Sequence, residues 1–265
     1  MYPFITVWGQ HIEMTGLGVI VGIMIFSSIC YIYAKKMNLI FSHLFYSLPT
    51  LILCIYFLGS YSAFLLTTGH IIPYSIIELG QIIIPPNFGF HAGGLAIGVT
   101  ISTLIFLYQL PSKTIRKKRL DVLFLGYSMA LIIVGLFFVL GDHMIGLPTS
   151  GTISVYALTP FSEVSKFTSV YPVGIFLSIA AFLSYLISIL IFKHQVKEGR
   201  GFGGFALFFF LLSLVLLFQS YSKHGVISIG EVRIDINQYI LLFLSICYGI
   251  GYLYLYKKTK ATHLT

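Results

Sequence analysis

Seven apolar stretches, each close to the ~20 residues a helix needs to cross a bilayer, dominate this chain of 265 residues. They lie at about 14–34, 43–66, 88–110, 121–141, 171–192, 203–222 and 237–256, each bounded by charge, proline or glycine. In hydrocarbon every backbone N–H and C=O has to find its partner within the chain, so runs of this length read as transmembrane helices. Charged residues make up only 9% of the chain, against roughly 25% in a soluble domain. The expectation is an all-α, polytopic membrane protein with about seven transmembrane helices. No repeat period and no Pro/Ser-rich linker interrupts the series, so residues 1–265 form a single transmembrane domain.

Lysine and arginine set the orientation. Thirteen of the sixteen basic residues fall after odd-numbered runs: Lys35, Lys36, Lys113, Arg116, Lys117, Lys118, Arg119, Lys193, Lys197, Arg200, Lys257, Lys258 and Lys260. The other side holds only Lys166, Lys223 and Arg233, with six of the eight acids, Glu13, Glu78, Asp142, Glu163, Glu231 and Asp235. The N-terminus is therefore expected outside and the C-terminus in the cytoplasm. The net charge of +8 follows topology and does not imply nucleic acid. The run from Lys113 to Arg119 has the same explanation, together with attraction to anionic lipid. Cys30, Cys54 and Cys247 lie inside apolar runs without metal or redox spacing. The N-terminus lacks the basic region and cleavage site of a cleavable signal peptide.

The long connections, 67–87 and 142–170, fall on the outer side, so most polar chemistry is expected there. Asn87-Phe88-Gly89-Phe90-His91-Ala92-Gly93-Gly94-Leu95 opens the third run. It sets an imidazole where water gives way to hydrocarbon, beside glycines that admit another backbone or a lipid. Polar groups at such depth are costly and are usually kept for a purpose. Asp142 and His143 follow Gly141 at the outer end of the fourth run, on the same side as His91. A histidine with a carboxylate is suited to general-base work, which makes His91, Asp142 and His143 the catalytic candidates. As neighbours in sequence, Asp142 and His143 would diverge by about 100° on a helix. A phospholipid is expected between the third and fourth helices, its head near His91 and the Gly93-Gly94 pair beside it. Asp121, after the basic run, suits an N-terminal cap of the fourth helix better than catalysis. Tyr31, Tyr33, Tyr252, Tyr254 and Tyr256 suit an interfacial aromatic belt. No HxxxH or ExxH spacing supports a metal, no cofactor is implied, and neither a P-loop nor a G-x-S-x-G elbow is present. A small-molecule transporter is the weaker alternative, because the apolar runs lack paired interruptions.

The order of these features resembles the bacterial phosphatidylglycerol–prolipoprotein diacylglyceryl transferases along almost the whole chain. Met14-Thr15-Gly16-Leu17-Gly18 is similar to the family's opening helix. Gly89-Phe90-His91-Ala92-Gly93-Gly94-Leu95 is similar to its Ser-Phe-His-Gly-Gly-Leu signature. Leu140-Gly141-Asp142 stands at its Arg-Leu-Gly-Asn, Tyr171-Pro172 at its His-Pro, and Leu58-Gly59-Ser60-Tyr61 at its Gly-Gly-Arg. The resemblance implies transfer of a diacylglyceryl group from a phosphatidylglycerol-like phospholipid to the cysteine of an exported lipoprotein precursor, in the bacterial cytoplasmic membrane. It implies a base at His91 and lipid contacts at Tyr61, Gly93, Gly94, Gly141 and Tyr171. Such chemistry also wants a cationic clamp on phosphate. Here the family's arginines fall at Val139, at Tyr61 and among Leu214 to Leu217, its asparagine at Asp142, and its nearby acid near Leu147. The alternative within the family is therefore a catalytically inactive relative that binds lipid or lipoprotein.

Overall fold

The computed structural model describes residues 4–7, 10–40, 42–68, 72, 74–75, 79–80, 92–108, 112–141, 146–156, 168–192, 199–218, 226–229 and 232–262. Within them run seven helices of fifteen residues or more: α1 (Met14–Lys36), α2 (Ser42–Thr68), α3 (Ala92–Tyr108), α4 (Lys113–Leu140), α5 (Val173–Ile187), α6 (Arg200–Val215) and α7 (Ile236–Thr262). A π turn, Ser188–Phe192, extends α5, and a 3-10 turn, Leu216–Phe218, extends α6. Five of the helices, α1, α4, α5, α6 and α7, are long and apolar enough to cross a membrane. Ala92–Tyr108 and the stretch Ile52–Ser62 within α2 are shorter apolar helices.

Three antiparallel β-hairpin pairings join this helical frame, which the all-helical expectation lacked. They are β1 (Phe4–Val7) with β2 (Gln10–Glu13), β3 (Val155–Tyr156) with β4 (Ser169–Val170), and β5 (Val226–Ile229) with β6 (Val232–Asp235). Their registers pair Phe4 with Glu13, Val155 with Val170, and Val226 with Asp235. All three lie at one end of the bundle, because β2 leads into α1, β3 and β4 follow the end of α4, and β6 leads into α7. Open sheet edges of this kind go unsatisfied in hydrocarbon and suit an end of a bundle that meets water.

Consecutive helices run antiparallel, and small residues let them approach. Along α1 and α4, Gly18 meets Phe137, Gly22 meets Val134, the Phe26 and Tyr127 rings lie 4.8 Å apart, and Cys30 Sγ donates to the Val122 carbonyl at 3.7 Å. Falling numbers on α4 against rising ones on α1 fix the direction. On its other flank α4 meets α5, where Gly135 abuts Gly174 and Ser178 Oγ donates to the Ile132 carbonyl at 2.8 Å. Ser245 Oγ of α7 likewise donates to the Ala206 carbonyl of α6 at 2.7 Å. Between apolar helices in lipid, close packing and such hydrogen bonds supply the association that hydrophobicity no longer does.

Helix α4 is the axis of the bundle. Every residue from Arg119 to Gly126 is buried, a little over two turns closed on all sides. There Phe124 packs edge-on against Phe205 at 5.2 Å, and Phe205 meets Tyr248 at 5.1 Å. The helix starts at Lys113, so the basic run lies within it and not before it. Hydropathy marked the apolar part alone, whereas hydrogen bonding carries the helix two turns further toward water.

Candidate functional site

The site expected from sequence lies at the hairpin end, where α2 and α4 finish and α3, α5 and α7 begin. His91, Asp142 and His143 fall outside the described residues, as do most of the connections 67–87 and 142–170. Their immediate neighbours are described, and these define how the chain is held around them.

Helix α3 begins at Ala92, directly after His91. Its first backbone N–H groups have no carbonyl one turn earlier to bond. The Gly93 N–H donates to Asn237 Oδ1 of α7 at 2.6 Å. Asn237 is almost fully buried, and so is Gln238, whose Nε2 donates to the Ser213 carbonyl of α6 at 3.3 Å. A side-chain oxygen from a neighbouring helix thus fills the role a local N-cap usually has. The next residue is clasped from the other side. A Cβ on Gly94 would collide with Ser62 Oγ and lie 2.6 Å from the Leu58 carbonyl oxygen of α2, and one on Gly93 would lie 2.9 Å from both Asn237 Oδ1 and Ile240 Cδ1. The room expected beside the glycine pair for a lipid is therefore taken by α2 and α7. Missing side chains have admitted protein here.

Tyr61, half-buried in α2, lies with its ring against Phe57 at 5.8 Å and Phe64 at 6.3 Å. Gly141 closes α4, its N–H donating to the Phe137 carbonyl at 2.8 Å, and an added Cβ would lie 2.9 Å from Thr15 Oγ1 at the start of α1. Tyr171 belongs to a compact knot above α5. Its N–H donates to the Leu147 carbonyl at 3.1 Å and its carbonyl accepts from Gly146 at 2.8 Å. Its ring packs edge-on against Phe218 at 5.2 Å. Leu147 N–H donates to the Phe218 carbonyl at 2.9 Å, which ties the segment after α4 to the end of α6. The five described site residues therefore fall apart: Gly93 and Gly94 are clasped between α7 and α2, Tyr61 lies along α2 against Phe57 and Phe64, Gly141 lies against α1, and Tyr171 lies over α5 and α6.

Above its closed section α4 opens. Leu131, Ile132, Ile133 and Val134 are half-buried, and Leu136 and Leu140 are exposed, while Gly135 and Val139 stay buried toward α5. The hairpin half of the axis thus offers apolar surface suited to acyl chains. Val139 lies against Gly174, where an added Cβ would come within 2.6 Å of its Cγ2. A helix contact this tight has no room for an arginine side chain.

Asp121 has a different role from the one expected. It sits eight residues inside α4, is 1% exposed, and accepts the N–H groups of Gly201 at 2.6 Å and Gly199 at 3.1 Å, with Arg200 Nε at 3.9 Å. It caps α6, whose N-cap residue Gly199 has a φ of 104°, a left-handed conformation that favours glycine. The carboxylate neutralises the positive end of that helix dipole inside the bundle. Asn237 and Gln238 were missed because a polar pair at the start of an apolar run reads as an ordinary helix end. Their position inside the last run, at a depth where amides are expensive, was the available signal. Among the described residues no group of three or more His, Cys, Asp and Glu is placed to hold a metal ion. The chain matches no protein-family model, and no curated protein matches it at a significant level.

Proposed function

We propose that this chain is a membrane protein of the prolipoprotein diacylglyceryl transferase type, crossing the bacterial cytoplasmic membrane seven times with its C-terminus inside. In this reading it takes a diacylglyceryl group from a phosphatidylglycerol-like phospholipid at the hairpin end. The observation that carries the reading is the double clasp on the start of α3, Asn237 on Gly93 and α2 on Gly94. It anchors Gly93 and Gly94, two and three residues after His91, in the segment similar to the family's Ser-Phe-His-Gly-Gly-Leu signature, where this chain has Ala92 between the histidine and the glycine pair. In this reading the His91 imidazole accepts the proton of the precursor's cysteine thiol. The thiolate sulfur then attacks a glycerol carbon, a C–S bond forms, the C–O bond to phosphate breaks, and glycerol phosphate leaves with the electron pair. The half-open apolar face of α4 supports the binding of the acyl chains.

The experiment is rescue of a bacterial strain depleted of its own transferase, read as lipid-modified precursor, with His91→Gln beside the wild type. Glutamine keeps size and hydrogen bonding but cannot take a proton near neutrality. A base at His91 predicts a loss of ~10²–10⁴-fold in rate with normal membrane insertion. Full activity in His91→Gln removes the catalytic role.

A second reading, a lipid- or lipoprotein-binding relative without catalysis, is favoured by Val139. Where the resembled enzymes have an arginine to hold phosphate, this side chain is 5% exposed and packed on Gly174. It predicts lipid co-purifying with the wild type but no modified precursor in the rescue assay.

A further inference from the structure

At the end of the bundle opposite the hairpins, one buried cation shows no anionic counterpart among the described residues. Arg119 is 7% exposed, and its Nη1 is buried without a hydrogen-bond partner among the described residues. Its guanidinium lies 5.3 Å from the centroid of the Phe106 ring near the end of α3. The adjacent carboxylate, Asp121, is committed to Gly199, Gly201 and Arg200. Of the eight acids only Asp121 and Glu198 fall on this side of the chain's topology, among thirteen basic residues. A buried guanidinium left without an anion is strongly unfavourable, and the aromatic face offsets only part of that cost. One turn away Arg116 lies 5.8 Å over the Tyr108 ring. Tyr108 is 82% exposed at the end of α3, the position an aromatic side chain takes at the headgroup level.

We infer that Arg119 is the centre of a phospholipid-phosphate site at the basic end, in the leaflet opposite the proposed reaction site, and that the phosphate of an anionic lipid completes the contact between α3 and α4. The chemistry selects this ligand. A guanidinium fork takes phosphate oxygens in pairs of parallel N–H···O bonds. The anion abundant at this depth is the lipid phosphodiester, concentrated further by the negative potential of an acidic leaflet. The inference goes beyond the transferase reading and requires only that the bundle spans a membrane.

The full-length protein, in nanodiscs of phosphatidylcholine containing a minor share of phosphatidylglycerol, is released into the gas phase and its retained lipid weighed by native mass spectrometry. The wild type is expected to retain phosphatidylglycerol in preference to phosphatidylcholine. Arg119→Gln should lose that preference by about tenfold, Arg119→Lys should fall between because it keeps charge without the fork, and Lys257→Gln, an exposed cation on α7 at the same end, should match the wild type. Absence of a preference in the wild type overturns the inference without recourse to any variant. So does equal retention by Arg119→Gln, or an equal loss in Lys257→Gln, which would mean diffuse attraction. Should Arg119→Gln fail to fold, Arg119→Lys decides, since full retention there means no fork is used. Displacement of the lipid by soluble glycerol phosphate at matching concentration would assign the site to free phosphate instead.

Discussion

Asp121 shows how much a single buried side chain holds together. Its two oxygens take the first N–H groups of α6 from inside α4, so one residue joins two helices and neutralises a helix end in the interior. Asp121→Asn keeps the shape but turns an N–H donor toward N–H donors, and should cost about 2–3 kcal/mol, the worth of a charged hydrogen bond. Asp121→Ala should cost more, about 3–5 kcal/mol, because Arg200 then lacks its carboxylate as well. Thermal unfolding in detergent reads both, and equal midpoints for Asp121→Asn and wild type would remove the capping role. The sequence marked Asp121 as a helix-end partner, but not of which helix. Gly199 lies 78 residues away, and no local pattern reports a contact across that distance. The partner of Asn237, Gly93, was illegible for the same reason, 144 residues away. His91, the residue with the clearest sequence signal, draws that signal from its glycine neighbours and its depth, both local properties.

The helices themselves are joined through glycines spaced four apart, Gly18 and Gly22 on α1 and Gly94 and Gly98 on α3. That spacing presents one smooth stripe of each helix to its partner. On Gly98 an added Cβ would lie 2.8 Å from Ile55 Cα, and the backbone of α2 cannot yield as a flexible side chain can. Gly98→Ala and Gly94→Ala should therefore each destabilise the bundle by roughly 1–3 kcal/mol, as overpacking does. Gly16→Ala meets nothing within 4 Å and should be neutral or stabilising by up to about 1 kcal/mol. Parallel unfolding curves check the contrast, and equal losses at all three positions would deny the helix contact. Apolar run length made these helices legible, since a bilayer tolerates little else of that length. The boundaries were less legible. Helix α4 runs back through Lys113 to Arg119 because backbone bonding continues where hydropathy stops. The hairpin Val226–Asp235 carries an alternation of apolar and polar residues around Gly230-Glu231, too short to stand out beside the apolar runs.

At the scale of the whole molecule the two ends differ in kind. Sequence polarity puts the starts of α2, α4 and α6 with the ends of α1, α3, α5 and α7, and that is where thirteen of sixteen basic residues lie. The opposite end holds the hairpins, and six of the eight acids fall to that side by sequence position. Charge asymmetry of this kind determines insertion, because lysine and arginine near helix ends are retained on the cytoplasmic side. The antiparallel α1–α4 contact also ties the first helix to the axis with both ends fixed, so a single orientation applies to the bundle as a unit. A reporter fused after Thr265 should therefore read as cytoplasmic, and one inserted between β3 and β4 within 142–170 should read as external. The basic residues supply the reason for both results, so the assay has an internal control. Replacing Lys113, Arg116, Lys117 and Lys118 with glutamine while leaving the buried Arg119 should weaken the bias, giving mixed populations before any loss of folded protein. A cytoplasmic signal from the 142–170 insertion in the unaltered chain would overturn the proposed seven-crossing arrangement, and with it the proposed assignment of the hairpin end to the outer face.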